Sequence, residues 1–154
     1  MTITETWHGM IHDVKDEMHD IATITHVAPV RQAYLMLWTT FVVVPIVAGV
    51  DKFAGVLNSS WEGYLAPWAN DLIPGSASDA MMYIGAVEIA IGVLVALLPR
   101  IGANVLVVWF AALFVNLVSM EEFHDLALYG AGLFLVACAF ARLNTTHGEM
   151  AGRA

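Results

Sequence analysis

Residues 82–99 read MYIGAVEIAIGVLVALLP: an apolar run with one acid, Glu88, stopped by Pro99 and Arg100. A carboxylate this deep in an apolar helix is costly unless it is protonated or paired. The rest of the chain must supply that acid with surroundings that tolerate it. Asn116, Lys52, Tyr83 and Tyr129 are the candidate partners, and an acid hydrogen-bonded to the Asn116 amide would sit there neutral. The alternative to a packing role is a carboxyl poised to move a proton or to hold a quinone oxygen.

Four apolar runs have the length needed to cross a bilayer core: residues 33–50, 80–98, 101–120 and 126–143. The composition agrees, with 59% hydrophobic and 13% charged residues in a 154-residue chain, and soluble domains carry far more polar surface. The expected fold is an all-α membrane protein. Residues 1–28 form a cytoplasmic amphipathic helix, residues 29–143 a bundle of four transmembrane helices, and residues 144–154 a short, loose cytoplasmic tail. The start is polar and acidic rather than basic and then apolar, so it does not read as a secretory signal. Lys15, Arg31, Arg100, Arg142 and Arg153 fall on one side of the spans and only Lys52 on the other. This asymmetry places both termini in the cytoplasm; the expected location is a bacterial inner membrane.

Net charge is −8 with six Lys and Arg, which excludes nucleic acid as a partner, since neutralising phosphates needs a basic face. Cys138 is the only cysteine, so no disulfide can form within the chain, and its apolar setting marks it as a small packing residue. No glycine-rich phosphate loop or nucleophile elbow is present, and no motif specifies a bound cofactor.

Within residues 2–25, Ile3, Trp7, Met10, Ile11, Val14, Met18 and Ile21 recur at helical spacing and make one apolar stripe. The remaining faces are acidic, and anionic headgroups would repel them, so the stripe is expected to dock on protein: this chain's own loops, a second copy or another subunit. His8 and His12 lie one turn apart, with Asp16 a further turn on, a spacing compatible with a metal; an exposed polar face rich in histidine is the alternative. Tyr34 and Trp38 near the start of the first span suit an interfacial belt.

The long connection, residues 54–79, is expected outside the membrane with Trp61, Tyr64 and Trp68 at headgroup depth. Asp51 and Lys52 at the end of the first span read as a mutually balanced pair. Asp79 is placed to cap the next helix, and Gly85 and Gly92 offer small surfaces for close helix contact. Asp125 opens the fourth span, either capping it or joining His124 in a proton-transfer pair.

Several of these stretches together resemble the DoxX-like family of membrane proteins. Val47-Ala48-Gly49-Val50-Asp51-Lys52-Phe53 closes the first span like that family's Gly-x-x-Lys-Phe pattern. Gly85-Ala86-Val87-Glu88-Ile89-Ala90-Ile91-Gly92 resembles its second span, in which a Glu precedes a Gly by four residues. The Arg100 turn and Asp125-Leu126-Ala127-Leu128 also fit. The resemblance covers residues 33–143 and leaves the N-terminal helix as an addition. It implies a four-helix bundle similar to the small subunit of thiosulfate:quinone oxidoreductase or to accessory parts of redox assemblies. The expected function is a non-catalytic accessory subunit of a larger respiratory or photosynthetic membrane complex. A quinone-linked oxidoreductase subunit is the alternative, and a small transporter or assembly factor the third reading. Other membrane subunits, lipids and quinone are the expected partners.

Overall fold

The computed structural model describes residues 3–24 and 28–151, with side chains placed for 7–24 and 28–144. Six α-helices follow in order: α1 (Ile3–Ala22), α2 (Pro29–Ala54), α3 (Pro67–Leu72), α4 (Ala77–Leu97), α5 (Pro99–Val118) and α6 (His124–Ala151). Helices α2, α4, α5 and the part of α6 up to Asn144 are long and apolar enough to cross a membrane. The chain is thus an all-α, multi-pass membrane protein. Valines and leucines such as Val43, Val44, Val108, Leu128 and Leu135 stand exposed along these helices, as lipid-facing surfaces require.

Local chemistry sets the helix ends. Pro29 and Pro99 occupy the first turns of α2 and α5, where a missing N–H costs nothing. Helix α2 stops at Gly55, whose φ of 60° is left-handed and whose N–H donates to the Asp51 carbonyl at 2.7 Å. Ser76, not Asp79, is the N-cap of α4. Asp79 is its reciprocal partner in a capping box: the Asp79 N–H donates to Ser76 Oγ at 3.2 Å, and the Ser76 N–H to Asp79 Oδ2 at 2.9 Å.

The bundle is built from two closely packed pairs, α2 with α4 and α5 with α6, joined through α4 and α5. In the first pair the backbones nearly touch. A Cβ on Gly49 would lie 2.5 Å from the Gly85 carbonyl oxygen, and one on Gly92 would lie 2.8 Å from that of Val42. The position rises along α2 as it falls along α4, so the helices run antiparallel. In lipid, where apolar side chains gain little by leaving their solvent, such close approach is a main source of helix association.

The core of the bundle clusters Leu35, Phe41, Val95, Leu106 and Phe140, all fully buried or nearly so. Phe140 meets Tyr34 at 5.7 Å and Phe41 at 5.4 Å between ring centroids. Tyr34 and Trp38 belong to this cluster, which corrects the expectation of an interfacial belt. Their spacing of four puts them on one face of α2, and that face points inward. The loose tail expected from residue 144 is also corrected. Asn144 is buried, its amide donates to the Phe140 carbonyl at 2.9 Å, and α6 continues to Ala151.

Helix α1 lies against the end of the bundle where α2 begins. Arg31 holds it through Glu17 and Asp20, each with a carboxylate oxygen 2.8 Å from Nη2. Ile21 and Ile24 pack against the core cluster. Part of the predicted stripe therefore docks on this chain's own bundle. Met10 and Val14 are half-buried, whereas Trp7, Ile11 and Met18 are exposed.

Candidate functional site

At the opposite end of the bundle, Lys52 sits in the last turn of α2. The Gly49–Gly85 contact brings that turn against α4, one turn from Glu88. Lys52 Nζ lies 2.6 Å from Glu88 Oε2, and the two side chains are only 6% and 8% exposed. Lys52 is thus the partner that Glu88 requires. The Asn116 amide is instead engaged with Ala66 and Tyr64, and Tyr83 and Tyr129 are exposed. Lys52 is also not balanced by Asp51: its ammonium lies 4.1 Å from the centroid of the Trp61 ring, a cation–π contact on a second side.

Asp51 instead organises the connection that follows. Its Oδ1 accepts the N–H groups of Val56 and Leu57 at 2.9 and 2.6 Å. Its Oδ2 accepts the Asn58 N–H at 3.0 Å and the Trp61 indole N–H at 2.8 Å. One carboxylate therefore ties down the chain leaving α2 and fixes the indole that covers Lys52. Asn116, near the end of α5, holds the same connection further on. Its Oδ1 accepts the Ala66 N–H at 2.9 Å, and its Nδ2 donates to the Tyr64 carbonyl at 2.7 Å. Trp68 donates its indole N–H to Ser119 Oγ at 2.7 Å. A short 3-10 turn, Trp61–Tyr64, and α3 are folded onto the bundle by these contacts.

The folded connection, α4 and α5 enclose a cleft of about 560 Å³. Trp61, Tyr64, Trp68 and Trp109 give it aromatic walls, and Leu113 and Leu117 lengthen its apolar side. Lys52 and Glu88 also line it, so the ion pair is the charged spot in a largely apolar space. The volume lies within the ~300–1,000 Å³ typical of small-molecule sites, which combine apolar walls with a few placed polar groups. Lys52 carries three N–H donors, of which the Glu88 contact uses one. A ligand oxygen can accept from the ammonium while an aromatic ring system lies among the indoles.

Of the residues singled out in the sequence, Lys52, Glu88, Asn116, Trp61 and Trp68 come together around this cleft. Asp51 acts on it through Trp61, and Gly85 and Gly92 act through the α2–α4 approach. Asp125 lies in the first turn of α6, exposed beside His124, as a helix-dipole partner would. His12 Nδ1 contacts Asp16 Oδ2 at 3.0 Å on the exposed side of α1. Among the described residues no three His, Cys, Asp or Glu side chains converge on a metal position, so His8, His12 and Asp16 do not form a ligand set. Tyr64, expected with Trp61 and Trp68 at headgroup depth, also lines the cleft, and Trp109 of α5 joins them. The loop-organising role of Asp51 replaces its expected pairing with Lys52, and its signal in the sequence is an acid four residues before a helix-ending glycine.

No protein-family model, curated protein or solved structure matches the chain.

Proposed function

We infer that this protein is a non-catalytic, quinone-holding subunit of a larger membrane redox complex. The observation that carries the reading is the aromatic-walled cleft with the Lys52–Glu88 pair in its wall. A quinone head group is planar, apolar over its faces and bears oxygens at its edge. Indole and phenol rings suit the faces, and the Lys52 ammonium suits an oxygen. When bound, a quinone supplies two-electron carrier chemistry. This chain's residues supply the seat. Trp61, fixed by Asp51, covers the ammonium, and Asn116 keeps the connection closed over the cleft. In this reading the electron-exchanging group belongs to a partner subunit. The resemblance to DoxX-like proteins favours the same reading, and the proposal includes a bacterial inner membrane with cytoplasmic termini.

A photoreactive short-chain quinone, added to the protein in nanodiscs and mapped by mass spectrometry, tests the site. Saturable labelling of residues 61–73 and 109–117, competed by unlabelled quinone, is expected. Label spread over the lipid-facing helix surfaces, with no competition, would refute the site. For complex membership, gentle extraction should bring a redox subunit along with this chain. Recovery of the chain alone at its monomer mass would count against that part of the reading.

A further inference from the structure

The apolar arc of α1 is wider than the bundle covers. Met10, Val14 and Ile21 form its inner side, half-buried, with Ile21 on the core cluster. Trp7, Ile11 and Met18 form its outer side and remain 52%, 50% and 62% exposed. At 100° per residue these three fall within about 40° of one another, directly beside the docked side. Asp13, Asp16 and Asp20 lie on the far side of the helix by the same count.

We propose that α1 is an in-plane interfacial helix, with the Trp7–Ile11–Met18 ridge seated in the acyl–headgroup boundary of the adjacent leaflet. Three observations select lipid as the occupant. First, α1 is pinned beside the ends of membrane-crossing helices: Arg31, which binds Glu17 and Asp20, belongs to the first turn of α2. Second, the spans themselves expose apolar side chains at this end of the bundle. Val30, Leu98 and Ile101, at the same end of the bundle, are exposed apolar side chains of the spans and their turn. Third, the ridge is too small for a stable protein interface. Three partly exposed side chains offer on the order of 300 Å², against ~800 Å² per partner in a standard interface. A second copy would also bring two acidic helices together.

The charge pattern sets the lipid class. Asp13 and Asp16 are exposed on the side turned from the ridge, so the helix suits a zwitterionic surface and gains nothing from an anionic one. Trp7 is suited to the boundary, where an amphipathic ring sits at headgroup level. The in-plane position fits a helix with strong apolar and polar faces and low overall hydrophobicity.

The experiment uses the full chain, one copy per nanodisc, in phosphatidylcholine. Cys138→Ala removes the only cysteine, and single cysteines at Ile11, Met18, Asp13 and Asp16 carry a small fluorophore. All four positions are exposed, so the variants retain the native packing. Nitroxide-labelled phosphatidylcholine, spin-labelled near the top of the acyl chain, should quench the labels at 11 and 18 at least about twofold more than those at 13 and 16, as seating a few ångströms into the boundary requires. Aqueous iodide should show the reverse order. Equal lipid quenching at all four positions would overturn the proposal. So would shielding of 11 and 18 from iodide without lipid quenching, which would mean a protein contact. Neither outcome bears on the quinone cleft at the other end of the bundle.

Discussion

Replacing Lys52 by methionine leaves the Glu88 carboxylate 8% exposed in an apolar bundle with its 2.6 Å partner gone. Removing one member of a buried ion pair costs about 3–5 kcal/mol, because the remaining charge is stranded. The lost cation–π contact with Trp61 adds about 0.5–2 kcal/mol. For a chain of this length each kcal/mol moves the midpoint by about 2–4 °C, and Lys52→Met should lower it by roughly 7–28 °C. Glu88→Leu strands the ammonium in the same way and should also destabilise. The double variant has no buried charge left. Replacing a buried pair by apolar residues of similar volume is often neutral or stabilising, so it should be more stable than either single variant. Thermal unfolding in dodecyl maltoside, followed by loss of the monodisperse chromatographic peak, provides the cycle. A double variant whose loss equals the sum of the singles would show that the two groups are uncoupled and would refute the pairing. So would Lys52→Met unfolding at the wild-type temperature.

Two further outcomes follow from the same contacts. Asp51→Asn removes the charge from a carboxyl group that accepts four N–H donors, weakening the anchoring of residues 56–61 by about 1–3 kcal/mol. Hydrogen exchange should quicken there and leave residues 35–46 unchanged; exchange that quickens throughout α2 would show a global role instead. At the other end, burial raises the Glu17 carboxyl above its ordinary 4.5, against the opposing pull of Arg31 and a Tyr34 hydrogen bond. A raised acid favours the docked helix when protonated. Its contribution is complete below pH 4.5 and is lost as pH rises past the raised value. Exchange protection of residues 10–22, corrected for intrinsic rates, should therefore increase from pH 7 to pH 5, and Glu17→Gln should flatten the trend. A decrease would mean that the Arg31–Glu17 attraction outweighs the burial cost.

The amino-acid sequence by itself determined the kind of molecule. Four apolar runs of bilayer length, Glu88 alone in one of them and small residues at Gly85 and Gly92 suffice for a helical membrane bundle. Those signals are local: length, period and side-chain size are read within one segment. The sequence narrowed the partner of Glu88 to a few residues but did not choose among them. That choice depended on the antiparallel register of α2 on α4, set by backbone contact at Gly49 and Gly92, which carries Lys52 past Tyr83 and Asn116 to the carboxylate. The same register turned Tyr34 and Trp38 inward and released Asp51 to organise the connection. An apolar stripe likewise announces a buried side but not what buries it. Only the packed structure divided the α1 stripe into a side on the bundle and a side left open, because that division depends on where Arg31 holds the helix.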